Sequence, residues 1–284
     1  MKNGPSRCLV VFTVMLTLGV IAMVPATAAS RMPMIITGTG SGVEIMRLMA
    51  AGFQEQHPGL IVSVLSSIGS TGAIKAVQEK KIDIGLSARG LKPTERNTKI
   101  IYEPYARTAF VFAVQASNMV QDLSVEEIEK IYAGKRTTWD DGQPVRPILR
   151  PKADSYSLLL EGISPGLKSA YAKAFDIPGV IIGITDQEAA DKIENTPGSF
   201  GITSSGMIAS GNRSIKALSI GGVEPSLANL SAGKYPYDTT LALVYLQDNY
   251  RGAVKDFIDF IYSPEGSAIL TRHGYMPCPK NTGK

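Results

Sequence analysis

From residue 34 onward the hydrophobic positions switch between two periods. Met34, Ile35, Ile36 and Thr37 form a short apolar, β-branched run. The apolar residues after it, Val43, Ile45, Met46, Leu48 and Met49, recur at helical spacing. The same order repeats: an extended run over residues 60–65, a turn, then Ala73, Ile74, Ala76 and Val77 on a helical face. A third run, Ile82 to Leu86, ends at Ser87-Ala88-Arg89-Gly90, so residues 31–91 predict a βαβαβ unit. Residues 101–104 predict a further short element. Residues 108–114 are nearly all apolar, as in a strand buried on both faces or crossing between domains.

Past Ser124 the pattern turns helical. Ser124 with Glu127 three residues on is a capping box, Ile128, Ile131 and Tyr132 give the apolar face, and Gly134 is a C-terminal stop. Trp139 to Gly142 predicts a turn, and residues 145–149 a strand that delivers Arg150. Residues 155–175 predict two helices split at Ser164-Pro165-Gly166. A short run over 180–184, a helix over 186–194, and strands over 199–203 and 215–218 follow. Residues 235–245 are apolar and β-rich and predict a return crossing, and the tail predicts helices over 250–262 and 264–272. The alternation implies an α/β fold with mostly parallel sheets. The expected division is a first lobe of residues 29–111 plus 241–284 and a second of residues 112–240.

Two turns in the first unit carry candidate chemistry: Gly38-Thr39-Gly40-Ser41-Gly42 and Gly69-Ser70-Thr71-Gly72. Each joins a strand to a helix start, where free N–H groups and the helix dipole favour an anion. Glycine lets the backbone approach a ligand, and the hydroxyls of Ser41, Ser70 and Thr71 add donors. Such turns also occur for backbone reasons alone. Two in one register favour ligand binding.

Composition narrows the classes. The chain has 284 residues, 44% hydrophobic and 19% charged, with a formal net charge of +4. That charge is too weak to argue for nucleic acid, and no basic block or basic-aromatic patch appears. The N-terminus reads as a cleaved secretion signal over residues 1–28: Lys2 and Arg7, an apolar stretch over 9–24, then the small-x-small site Ala26-Thr27-Ala28. The competing reading, a membrane anchor, meets a run short for a span. Loss of Lys2 and Arg7 leaves a charge of +2, and loss of Cys8 leaves Cys278 alone, so the mature chain has no internal disulfide. Cys278 then reads as a small, partly buried hydrophobe.

These residues resemble the periplasmic phosphate-binding proteins of ABC importers, within the type II periplasmic binding protein fold. The resemblance spans nearly all of the mature chain. It rests on the two Gly/Ser turns, on Ile82-Asp83-Ile84-Gly85-Leu86-Ser87, on the stretch from Leu123 to Lys135 with Trp139 after it, and on Ser263-Pro264-Glu265-Gly266 with Gly274-Tyr275-Met276-Pro277. It implies two α/β lobes joined by crossing segments and closing by a hinge near Phe110 and Leu243. It implies a cleft lined by Ser41, Gly42, Ser70 and Arg150, with Gly40 and Thr71 beside them. Arg150 also makes independent sense, because a guanidinium at a strand end meets an oxyanion with a two-pronged fork. A surface arginine is the plainer alternative. The implied ligand is inorganic phosphate or a related oxyanion, and the implied partner is an inner-membrane ABC permease. A monomer without cofactor or metal is expected.

Two departures stand out. The family has a carboxylate at the end of its third strand that accepts the phosphate proton, and Ala88 stands there, followed by Arg89. The family's Ser-Gly-Thr loop after the second-lobe arginine is here Asp154-Ser155-Tyr156-Ser157. Monohydrogen phosphate carries a donor that wants an acceptor, and a buried acceptor rejects anions without that proton. Asp154 is therefore a candidate acceptor, or else the N-cap of the helix that starts at Ser155. Arg89 is a candidate second clamp, or else a solvated loop residue. Ser155 and Tyr156 keep hydroxyls in the loop.

An enzyme finds little support. His57 and His273 are far apart and read as structural or surface residues, and no nucleophile elbow, HExxH, metal spacing or P-loop lysine occurs. Ser41 has no visible base, and Asp140-Asp141 reads as turn chemistry. A sensory role, reporting an oxyanion to a membrane receptor, and a different anion such as sulfate, molybdate or a phosphonate remain open alternatives.

Overall fold

The computed structural model describes residues 1, 33–96 and 99–280. The expected signal sequence from Lys2 on, with its cleavage site, lies outside the described residues. No helix among the described residues is long and apolar enough to cross a membrane.

The chain opens with β1 (Met34–Gly38), α1 (Gly40–Gln56), β2 (Val62–Val64), α2 (Gly69–Gln78) and β3 (Ile84–Ser87). These are the expected βαβαβ elements, with β1 flanked in parallel by β2 and β3. Gly38 is there for close approach: a Cβ on it would lie 2.1 Å from the Leu86 carbonyl oxygen of β3. Next comes β4 (Ile100–Gln115), a single strand of 16 residues. The expectation of a short element followed by a separate strand is thus corrected. Polar Glu103 and Arg107 and the imino acid Pro104 break the apolar pattern without breaking the strand. Pro104 cannot donate to the ladder. The pairing with the later return strand shifts there, so that Tyr105 is passed over between the Leu241–Ala106 and Ala242–Pro104 pairs.

Then follow β5 (Asp122–Leu123), α3 (Val125–Tyr132), β6 (Arg146–Leu149), α4 (Ser155–Glu161), α5 (Pro165–Ala174), β7 (Ile181–Ile182), α6 (Asp186–Asn195), β8 (Ser199–Ser204), α7 (Ser205–Ser210), β9 (Ile215–Ala217), β10 (Ser219–Ile220) and α8 (Leu227–Ser231). The capping box of α3 is formed: the Ser124 hydroxyl accepts from Glu127 N at 3.2 Å, and Glu127 accepts from Ser124 N at 2.9 Å. Trp139 does more than mark a turn. It is buried beside Phe200 and donates from Nε1 to the Gly198 carbonyl at 3.1 Å.

The return crossing is β11 (Asp238–Leu246), followed by α9 (Gly252–Ile261), α10 (Pro264–Arg272) and β12 (Met276–Pro277). The main sheet runs β2-β1-β3-β11-β4-β8-β6-β7. Its outer arms are parallel, and its centre is antiparallel because β4 and β11 run past each other in opposite senses. The first half of β4 pairs with β11 and the second half with β8 and β9. Two main apolar cores form on either side of this handover. One gathers Ile36, Met46, Phe53 and Phe257 under α1 and α9. The other gathers Phe112, Tyr132, Tyr171 and Phe200 under α3 and α5. The carboxyl ends of β1, β3 and β6 face one crevice, where α1, α2 and α4 begin.

Candidate functional site

The crevice holds a cavity of about 510 Å³. Thr39, the turn Ser67 to Thr71, and Ala88, Arg89 and Lys92 line it on one side. Arg150, Ala153 to Ser155, Leu158 and Ile184 to Asp186 line it on the other.

Arg150 is its centre. It sits one residue past β6 and is 2% exposed, so the surface alternative does not hold. Its backbone is fixed by Tyr171, whose hydroxyl accepts from Arg150 N at 2.9 Å and donates to Arg150 O at 3.1 Å. Its guanidinium donates to the Gly183 carbonyl at 2.8 Å, to Asp154 at 2.8 and 3.4 Å, and to Asp186 at 3.3 Å. Burial works against its charge, and the Asp186 and Asp154 carboxylates outweigh that, so its pKa is raised.

Asp154 satisfies the helix-cap expectation and pairs with Arg150 at the same time. Its Oδ1 accepts from Tyr156 N at 3.0 Å as the N-cap of α4. Ser155 lines the cavity beside it. Tyr156 instead packs into the core against Phe110, its hydroxyl buried without a hydrogen-bond partner among the described residues.

The two Gly/Ser turns have different surroundings. At the first, Gly40, Ser41 and Gly42 form the opening turn of α1 and are buried. α1 has no side-chain N-cap and no acidic residue in its first turn. Its first turn is met from α6 instead, on one donor and one acceptor. Asp186 Oδ2 accepts from Ser41 N at 3.0 Å, and Gln187 donates to the Gly40 carbonyl at 2.9 Å. A Cβ on residue 40 would lie 2.6 Å from Asp186 Oδ2, so glycine lets α6 come this close. At the second turn, Gly69 takes φ +70° and is exposed with Thr71. Ser70 accepts from Ala88 N at 3.0 Å, which leaves its own hydroxyl proton free to donate.

Arg89 reaches this second turn but is already paired. Both of its terminal nitrogens donate to Glu95 at 2.7 Å, and one also donates to Thr71 Oγ1 at 2.8 Å. The hydrogen bonds from Arg89 hold the Glu95 carboxyl down at about 2. Lys92 lines the cavity with an exposed side chain.

Asp186 is the cavity residue that sequence reasoning missed. It lies at the first position of α6 and is 9% exposed. Burial raises its pKa, Arg150 opposes that rise, Asp154 adds to it, and the N–H groups of Ser41 and Gly40 oppose it. In the sequence it reads as an ordinary acidic residue in a helix's first turn. Its distinguishing partners are 36 and 145 residues away.

The remaining candidates fall where a structural role puts them. His57 stacks on Phe53 at 4.2 Å, and His273 ends α10. Asp140 pairs with Arg136 at 3.1 Å, and Asp141 accepts from Gln143 N at 3.0 Å within its turn. Cys278 is half-buried, with its thiol pKa raised by burial. No cluster of potential metal ligands occurs among the described residues.

Comparison with known proteins places these features in context. Residues 24–265 match the family model described as PBP superfamily domain. The chain is 26% identical over 249 residues to the phosphate-binding protein PstS of Bacillus subtilis strain 168, covering 85% of this chain and 79% of that one. It is 24% identical over 215 residues to PstS of Borreliella burgdorferi, covering 73% and 77%. Among solved structures, a substrate-binding protein with bound phosphate from Clostridium perfringens superposes with a TM-score of 0.72 at 23% identity, covering 87% of this chain and 99% of that one. An ABC-type phosphate transport receptor from Vibrio cholerae gives 0.60 at 22% identity, covering 86% and 99%. The structural likenesses fix the fold, which is the expected α/β class.

Proposed function

Because the chain belongs to the PBP superfamily domain family, we propose that it is a solute-binding protein that captures a small oxyanion, phosphate first, and hands it to an ABC importer. The observation that carries this reading is Arg150: a buried guanidinium at the carboxyl end of β6, facing two helix N-termini across one cavity. Most of the elements there offer donors, which suits an anion. The relatives named as phosphate-binding proteins support phosphate over other anions.

In this reading the ligand sits between Arg150 and the opening turn of α2. The N–H groups and hydroxyls of Ser70 and Thr71, with the Ser155 hydroxyl, complete its shell. The α1 turn at Gly40 to Gly42 contributes once Asp186 yields it. Arg89 acts as a brace, its charge spent on Glu95 and its reach on Thr71. Residues 29–111 with 241–284 form one lobe and 112–240 the other. The lobes close by a hinge where β4 and β11 pass, near Phe110 and Leu243. A signal sequence delivers the chain to the periplasm, where it works as a monomer with an inner-membrane permease. It binds and releases without a catalytic step.

The test is a calorimetric titration of the ligand-stripped mature protein with phosphate, sulfate, arsenate, molybdate and a phosphonate. Tight phosphate binding with weak sulfate binding is expected. Binding of none of these anions would remove the receptor reading and leave the fold untouched.

A further inference from the structure

The cavity already contains an anion: the carboxylate of Asp186. Its Oδ2 takes the Ser41 N–H at 3.0 Å, a donor of the α1 N-terminus, and its Oδ1 takes Arg150 Nη2 at 3.3 Å. These are two of the donors an oxyanion ligand needs. Arg150 has five N–H donors in all, and its bonds to Gly183, Asp154 and Asp186 leave few to offer.

The arrangement is built around this carboxylate. α1 has no side-chain cap bond and no acidic residue in its first turn. Residue 40 is a glycine where a Cβ would strike the Asp186 side chain, with Asp186 Cβ only 2.7 Å away. Gln187 adds a second tie at 2.9 Å to the same turn.

We propose that Asp186 is a tethered anion that fills the oxyanion seat of the ligand-free chain and must give up Ser41 N–H and Arg150 before phosphate binds. This rests on the receptor reading above. Asp154 alone balances the charge of Arg150. With Asp186 also ionised the cluster has a net negative charge, which repels an incoming phosphate. A proton on Asp186 removes that charge and one acceptor of the guanidinium. The titratable groups that face Asp186 are Arg150 from the end of β6, Asp154 and Tyr156 from α4, and Tyr275 ahead of β12. Of these only Arg150 opposes protonation, and burial with Asp154 prevails. Arg150 and the Ser41 N–H are contacts that favour the ionised form of Asp186, so ceding both to phosphate couples binding to its uptake of a proton from solvent.

The experiment is phosphate titration calorimetry of the wild-type chain, Asp186→Asn and Asp186→Ala across neutral and acidic pH, in buffers of different ionisation heat. At about pH 8 both variants are expected to bind phosphate roughly tenfold or more tighter than wild type, the effect of removing one nearby like charge. The gap closes as pH falls, and only the wild type takes up the extra proton. Asp186→Ala keeps the test sound if the asparagine amide re-forms the bond to Ser41. Wild-type binding with variants that bind equally or more weakly would overturn the tethered anion and leave the receptor standing. A weaker variant that gains sulfate would make Asp186 a proton acceptor instead and overturn the proposal the same way. No phosphate binding by any of the three proteins would sink both readings.

Discussion

The N-termini of α1 and α2 are nearly the same text: a strand, a Gly/Ser/Thr turn, a helix. Their fates differ. The α1 turn is buried, and Asp186 and Gln187 reach across from α6 to satisfy it. The α2 turn stays open to the cavity, braced by Arg89 at Thr71 and held from behind. Ser67 donates to the Gly38 carbonyl at 2.8 Å, and Ser70 accepts from Ala88 N at 3.0 Å. A helix N-terminus attracts anions by its physics. Whether it serves a ligand depends on what the rest of the chain has already put there.

Arg150 faces both turns, and removing it should have the largest effect. Arg150→Ala leaves Asp154 and Asp186 without their cation in a buried setting, at a cost of about 3–5 kcal/mol in chemical denaturation. Phosphate binding should vanish in the same protein. If stability and binding both survived, Arg150 would not be the hub of the site.

Adding one methyl separates the two turns more finely. Gly40→Ala drives a Cβ to 2.7 Å from Asp186 Cβ and should cost about 1–3 kcal/mol by forcing α6 away. Gly69→Ala meets nothing within 4 Å, so only its φ of +70° is penalised, by about 1–2 kcal/mol. A Gly40→Ala variant that melts with the wild type would mean that α6 does not press on the α1 turn.

The smallest effect concerns pH. Glu95, held at about 2 by its bonds from Arg89, contributes stability that is present above its unfolded value and lost as pH falls through about 2. Asp186 has a raised pKa, so the sign reverses: its contribution is full at low pH and lost as pH rises through its folded value. Glu95→Gln should remove about 1 kcal/mol at neutral pH and none in strong acid. Asp186→Asn should flatten the opposite slope. Urea unfolding across pH reads both, and parallel wild-type and variant profiles would refute the assignment.

Local signals make much of the fold legible in the sequence. The βαβαβ unit, the capping box at Ser124, the helix break at Ser164-Pro165 and the position of Arg150 all follow from residues close together in the chain. The length of β4 does not, because Pro104 and its charged neighbours imitate a break. Pairing with β11 and β12, both more than a hundred residues later, holds the segment extended. The strands β5 and β10 and the helices α7 and α8 are too short to show a period. The site divides in the same way. The Gly/Ser turns stand out by residue type and spacing, and Arg150 and Asp154 by the positions that the family resemblance gives them. Asp186 sits in a helix's first turn, where aspartate is ordinary, and its meaning lies in donors brought to it by the fold.

The most direct test of the account is a crystal structure of the mature protein grown with phosphate. It should place a phosphate between Arg150 and the N–H groups of Ser70 and Thr71, with the Asp186 carboxylate withdrawn from Ser41 N. A cavity without phosphate at saturating concentration, or a phosphate bound elsewhere with Arg150 still closed on both carboxylates, would contradict it.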